Sequence, residues 1–111
     1  MTILLDEGIP RIIQRRLPHL PIFTVDQMGW RGIKNGQLLD RMDGTFTILV
    51  TTDKNLRFQQ NLPQRQISLV ILPTNRVPLV LLLMPQIAAA LAAIRPGEFR
   101  EIGLPSTAGG S

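Results

Sequence analysis

Short, almost wholly apolar segments recur along this chain of 111 residues, and stretches with helix signals separate them. Segments without polar alternation are typical of strands that are buried on both faces. In chain order they are 2–6, 22–25, 45–53 and 67–72, and 99–103 is a candidate edge strand. The alternation of these strands with helical stretches along the chain predicts a parallel sheet covered by helices on both faces. We therefore expect an α/β fold of three layers (α/β/α) with a mostly parallel sheet of four to five strands, in one domain over 1–103, followed by a disordered tail at 104–111.

The stretches between the strands carry the helix signals. Apolar residues spaced by three and four after Gly8 predict a helix that begins near Pro10. A glycine-rich loop follows the second strand, and we expect a short helix after it. The stretch from residue 54 should be helical and stop before Pro63, and Pro85 should break or kink the segment 77–94 into two helices.

The composition restricts the chemistry of any metal site. The chain has no cysteine and one histidine, His19, which excludes disulfides, thiolate zinc sites and histidine clusters. A metal ion would need oxygen ligands, as Mg²⁺ and Mn²⁺ do. The formal charge of +4 is compatible with a polyanionic partner such as nucleic acid.

The segment 77–94 holds 18 residues without a charge, about the length of a membrane span. Pro78 and Pro85 and the alanine-rich second half favour buried helices over a membrane anchor, so we expect no membrane association. Part of the segment could instead form a homodimer interface. The N-terminal apolar run is short and no basic region precedes it, so the chain lacks the pattern of a signal peptide and we expect it to be cytoplasmic.

Acidic residues stand at the ends of two predicted strands. Asp6 and Glu7 follow the first strand and Asp53 follows the strand 45–53. Because ligands of parallel sheets bind outside the carboxyl ends of the strands, Asp6 and Asp53 could share one divalent cation if the strands are neighbours. The alternative is structural, with Asp6 in a turn and Asp53 as the cap of the following helix.

Three stretches resemble the bacterial PIN-like proteins, a reduced branch of the PIN-domain nuclease superfamily that includes relatives of VapC-like toxins. They read "ILLDEGIP", "GWRGIKNGQLL" and "LVTTDKNLRFQQNL", and with the later "IRPGE" the resemblance extends from residue 3 to about residue 102 in the same order. It implies a PIN-like α/β/α fold, a metal-dependent ribonuclease that hydrolyses RNA phosphodiesters with a metal-activated water, and a toxin role beside a small antitoxin protein. Asp6 and Asp53 match the catalytic and metal-binding acids of the family, with Mg²⁺ or Mn²⁺ as the cofactor.

The sequence departs from this pattern in the helix after "NG". Related sequences carry an acid there, whereas this chain has Gln37, whose amide oxygen can bind a cation but adds no negative charge. Asp40 lies one helical turn further and could replace the missing ligand. A second acid of full PIN domains is also missing, and Asn75 stands near its position.

The remaining candidates are supporting and nucleic-acid-binding residues. Glu7 should bind a basic group or cap a turn rather than hold the metal, and Asn55 could touch a phosphate or order the turn after Asp53. Arg11, Lys34 and Lys54 are candidate contacts to RNA. Trp30 could stack on a base, but a place in the core beneath its loop is the favoured reading.

Two hypotheses therefore remain open for the function. The first is a PIN-like ribonuclease that uses Asp6 and Asp53. The second is a non-catalytic PIN-like module that binds nucleic acid or a protein partner, because the expected helix acid is Gln37.

Overall fold

Five parallel strands form a single sheet in the computed structural model, which describes residues 1–58 and 62–104. The strands are β1 (Ile3–Leu5), β2 (Ile22–Thr24), β3 (Ile48–Thr51), β4 (Ser68–Ile71) and β5 (Phe99–Glu101). Their order across the sheet is β2–β1–β3–β4–β5, and every neighbouring pair is parallel. The five predicted strands are thus present with shorter bounds, while the predicted tail lies outside the described residues except for Leu104.

The helices cover both faces of this sheet. They are α1 (Ile12–Arg16), α2 (Val25–Met28), α3 (Asn35–Met42), a 3₁₀ helix (Lys54–Phe58), α4 (Leu62–Arg65) and α5 (Val77–Ala93). Alternate strand residues face opposite sides, so Leu5 and Val50 join one apolar cluster with α1 and α5, whereas Leu4 and Leu49 join a second cluster with α3. The predicted three-layer α/β/α fold is therefore confirmed.

α5 is one continuous helix with Pro85 inside it, so the prediction of two helices is wrong. An internal proline removes one backbone hydrogen bond and costs about 3 kcal/mol in a helix. Here Pro85 lies on the exposed side, while Leu83 and Ile87 are buried in the core on the opposite side. Burial of five such side chains along the helix outweighs the cost of the proline. No helix in the described ranges is long and apolar enough to cross a membrane.

Two further features of the helices differ from the prediction, the start of α4 and the presence of α2. α4 begins at Leu62 and includes Pro63, because a proline is tolerated in the first turn, where its missing N–H has no helical partner. α2 was not expected at all, yet it begins directly after β2. Thr24 and Gln27 form a reciprocal capping box there, which satisfies two backbone N–H groups at the helix start.

The strand order places a topological switch between β1 and β3. The chain leaving β1 turns towards β2, and the chain leaving β3 turns towards β4 on the other side. The two connections diverge and leave a crevice at the carboxyl ends of β1 and β3, which is where open α/β sheets bind their ligands. Asp6 and Asp53 are the acids that follow these two strands.

Candidate functional site at the carboxyl ends of β1 and β3

Asp6 extends the first strand into the crevice. Its backbone N–H donates to the carbonyl of Val50 at 2.9 Å, which continues the pairing of β1 with β3 for one residue. Alternation then directs its side chain to the same face as Leu4. There the buried Thr51 hydroxyl donates to Oδ2 of Asp6 at 2.7 Å, and Oδ1 accepts from the backbone N–H of Glu7 at 2.7 Å. Both carboxylate oxygens are therefore held in fixed directions.

Asp53 is tied to the same hydroxyl group. Its backbone N–H donates to Oγ1 of Thr51 at 3.1 Å, so one threonine oxygen contacts both acidic segments. Its Oδ1 accepts from the backbone N–H of Asn55 at 2.9 Å, at the start of the 3₁₀ helix. The capping contact of the structural reading is thus present, and Asn55 orders this turn through its backbone. Oδ2 of Asp53 carries no hydrogen bond to another described residue.

The two carboxylates open into one pocket of about 380 Å³. Its lining residues are Asp6, Glu7, Gly8, Ile33, Lys34 and Asp53. Three of these residues are acidic and one is basic, so the lining has a net negative charge when all four are ionised. The predicted pair of acids is therefore brought together in one cavity that the predicted Lys34 also lines. Such a cavity can hold a cation, or a phosphate whose charge a cation neutralises.

Burial raises the pKa of the Asp6 carboxyl above its ordinary value of 3.8. The hydrogen bonds from Thr51 and from the N–H of Glu7 oppose this shift, while the negative charges of Asp53 and Glu7 add to it. A raised pKa means that the charged form of Asp6 is under-solvated. Groups in this condition gain most from a cation placed beside them.

Glu7 binds the loop between α2 and α3. Its Oε1 accepts from the backbone N–H of Gly32 at 2.8 Å, in a turn where Gly32 has a φ of +84° that favours glycine. The same loop carries Ile33 and Lys34 into the wall of the pocket. Glu7 therefore caps a turn, which is one of the two roles predicted for it from sequence. The loop that contains this turn also places Lys34 in the lining of the pocket.

The third acid considered from sequence lies elsewhere. Oδ1 of Asp40 accepts from Nη2 of Arg65 at 2.8 Å, and Asp43 binds Nη1 of the same guanidinium at 2.9 Å. Asp40 is thus paired with Arg65 and is not among the residues that line the pocket. Gln37 is exposed on the first turns of α3 and does not line the pocket.

The other predicted supporting and basic residues surround the site at different distances. Asn75 lies beside Gly8, because its Nδ2 would be 3.7 Å from a Cβ added there. Arg11 lines a smaller cavity that also contacts Asp6. Lys54 lines a separate pocket beyond the ends of β4 and β5, next to Glu101.

Trp30 is half-buried and packs against the core beneath the loop. Its ring meets that of Phe46 edge to face at 5.7 Å, and it contacts the apolar cluster under α3. This geometry is a structural contact. It favours the core reading of Trp30 over a base-stacking one.

Sequence reasoning missed Thr51 and Gly32 as members of the site. Thr51 could have been found, since it stands two residues before Asp53 in the stretch "LVTTDKNLRFQQNL" and shares the strand face of Leu49. The hydrogen bond from the N–H of Gly32 to Glu7 joins residues 25 positions apart in the sequence, and no local sequence pattern predicts such a contact.

The acidic residues of the pocket supply the smaller number of carboxylate ligands with which a hard divalent cation can be bound. Mg²⁺ is commonly held by one or two carboxylates, with water and substrate phosphate as further ligands. Asp6 and Asp53 provide two such carboxylates in one cavity, although no group of three His, Cys, Asp or Glu residues suited to a metal occurs among residues 1–58 and 62–104.

Comparison of the chain with protein-family models, with curated proteins and with solved structures gave no match. The resemblance to PIN-like proteins accordingly rests on the sequence motifs alone. The functional proposal below therefore depends on the geometry of the crevice.

Proposed function

We propose that this protein is a PIN-like ribonuclease that depends on Mg²⁺ or Mn²⁺ and cleaves RNA at the carboxyl ends of β1 and β3. The observation that carries the proposal is the link between the two acids. The Thr51 hydroxyl donates to Asp6 and accepts from the N–H of Asp53, and both acidic residues line one pocket at the switch point of the sheet.

Asp6 and Asp53 would hold the ion. A bound divalent ion would supply two effects: a lower pKa of a water molecule attached to it and neutralisation of charge on a phosphodiester. Thr51 fixes Oδ2 of Asp6 by hydrogen bonding and thereby limits the rotation of that carboxylate. Lys34, on the loop that Glu7 holds, offers an ammonium group to a phosphate oxygen of the RNA. The resemblance extends the proposal to a toxin role with a small antitoxin protein as the partner.

A second candidate function is a non-catalytic PIN-like module that binds nucleic acid. The observation that favours it is the position of Asp40, which pairs with Arg65 and leaves the pocket without an acid from α3. Gln37, also on α3, supplies no negative charge. In this case the same pocket and its basic surroundings would bind RNA without cleaving it.

RNA cleavage in Mn²⁺ or Mg²⁺ separates the two functions. The variants Asp6→Asn and Asp53→Asn remove one charge each with little change of shape, and Asp40→Asn is the matched control at an acid outside the pocket. We expect cleavage by the wild type and Asp40→Asn, and a loss of at least 100-fold, about 2.7 kcal/mol, in the two site variants. Equal activity of all four proteins would refute the two-acid site, and RNA binding without cleavage by any of them would favour the module.

A further inference from the structure

A second cavity adjoins the acidic pocket, and two arginines line it together with three acidic residues. It measures about 110 Å³ and shares Asp6, Glu7 and Gly8 with the larger pocket. Its far wall is formed by Arg11 and Arg31 together with Asp26. Asp6, one of the two candidate metal ligands, thus lines both this cavity and the acidic pocket.

Three segments of the chain converge to build that wall. Arg11 stands at the start of α1, Asp26 lies in the first turn of α2, and Arg31 belongs to the loop that follows α2. The capping box of Thr24 and Gln27 fixes the start of α2 and so fixes the position of Asp26. The basic wall is therefore built from residues of α1, α2 and the loop after α2.

The carboxylate of Asp26 lies beside both guanidinium groups. Oδ1 of Asp26 pairs with Nε of Arg31 at 3.1 Å, and Oδ2 lies 3.8 Å from Nη2 of Arg11. Two cations thus share one anion, so the trio has an excess positive charge. Each guanidinium has five N–H groups, most of which a single carboxylate leaves available. Planar guanidinium forks match the oxygens of a phosphate.

The acidic pocket needs such a neighbour if RNA is to bind. Asp6, Glu7 and Asp53 outnumber Lys34, so the pocket by itself repels a phosphodiester. A cationic group beside the pocket offsets this repulsion and holds the strand by a phosphate that does not react. We infer that Arg11 and Arg31, which flank Asp26, form a binding subsite for the phosphodiester that neighbours the scissile one in a single-stranded RNA, an inference that rests on the proposed function.

The test measures binding without catalysis. A 2′-O-methyl oligonucleotide of mixed sequence resists cleavage, and its affinity is measured in EDTA over a range of salt concentrations. The variants are Arg11→Ala and Arg31→Ala. Arg41→Ala is the control that removes the same charge from an exposed position near the end of α3, away from the crevice.

We expect each subsite variant to bind several-fold more weakly and to lower the slope of log affinity against log salt by about 0.7, the value for one lost phosphate contact on a single strand. The control should keep the wild-type slope. Wild-type affinity and slope in both Arg11→Ala and Arg31→Ala would overturn the subsite, as would an equal loss in Arg41→Ala, which would indicate unspecific charge attraction.

A double variant shows whether both arginines act at one place. If both arginines bind the same phosphate, the salt slope should fall by less in the double variant than the sum of the two single decreases. The variant Arg31→Lys keeps the positive charge but should bind more weakly than the wild type, because it lacks the guanidinium fork. Full recovery by lysine would contradict the role of the guanidinium forks. Because this binding assay contains no metal and no cleavable strand, its failure leaves the proposed cleavage untouched, and an inactive protein can still satisfy it.

Discussion

The hydroxyl of Thr51 donates to Oδ2 of Asp6 at 2.7 Å, across the boundary between β3 and β1. The register of the two strands makes this contact possible, since Leu5 pairs with Val50 and the next residue of each strand faces the same side of the sheet. The same hydroxyl oxygen accepts from Asp53. The geometry of the candidate site therefore depends on one buried threonine.

Replacement of Thr51 tests that dependence. Thr51→Val keeps the shape but leaves Oδ2 of Asp6 without its donor, which should cost about 1–3 kcal/mol of folding stability. We expect RNA cleavage to fall at least tenfold in this variant, while Thr51→Ser retains the hydroxyl and most of the activity. Urea unfolding and cleavage rates measure the two effects. Activity of the valine variant equal to that of the serine variant would contradict the role of the hydroxyl.

The raised pKa of Asp6 makes stability depend on pH. A carboxyl group whose pKa is higher in the folded state binds protons more readily there than in the unfolded chain. Its contribution to stability is fully present below the ordinary pKa of 3.8 and is lost as pH rises through the higher folded-state value. Asp6→Asn, which stays neutral, should therefore be more stable relative to the wild type at pH 7 than at pH 3.5. Urea unfolding in EDTA at both pH values measures this difference, and an equal difference at the two values would show that burial does not penalise the charge.

Glu7 should act through its hydrogen bond to Gly32. Glu7→Ala and Glu7→Gln remove the same charge, but only glutamine keeps an oxygen that can accept from the N–H of Gly32. We expect the alanine variant to have the higher KM for RNA, by about threefold to tenfold, which corresponds to one hydrogen bond of about 1 kcal/mol. The value of kcat should be similar in the two variants. A lower kcat in both, with equal KM, would instead indicate that the charge of Glu7 takes part in the reaction.

Trp30 should contribute to stability rather than to RNA binding. Trp30→Leu removes the edge-to-face contact with Phe46 and should lower the free energy of unfolding by about 1–3 kcal/mol. The affinity for the non-cleavable oligonucleotide in EDTA should stay at the wild-type value under conditions in which the variant is folded. A selective loss of affinity with unchanged stability would identify Trp30 as a base-stacking residue.

The sheet could be predicted from sequence because buried parallel strands leave a strong local pattern. Ile48–Thr51 and Ser68–Ile71 are short, apolar and rich in β-branched residues, and both are strands in the structure. Alternation with helices then leaves few arrangements for them. The effect of Pro85 on its helix was harder to predict from sequence. Whether a proline ends a helix there depends on how much of α5 is buried against the sheet.

The candidate site could be predicted only in part. Asp6 and Asp53 stand at strand ends, so the rule for parallel sheets places them at one edge. Which strands are neighbours, however, is a property of the whole chain, and so is the pairing of Asp40 with Arg65. The contact of Glu7 with Gly32 has the same long-range origin.

Titration with Mn²⁺ is the most direct measurement of the central claim, that Asp6 and Asp53 form one divalent-cation site. Binding is followed by calorimetry or by the electron paramagnetic resonance signal of free Mn²⁺, for the wild type, Asp6→Asn, Asp53→Asn and the control Asp40→Asn. We predict one site in the wild type and in Asp40→Asn, and an affinity at least tenfold lower in each of the other two variants, a difference of about 1.4 kcal/mol. Wild-type affinity in both Asp6→Asn and Asp53→Asn, or no Mn²⁺ binding by the wild type, would contradict the claim.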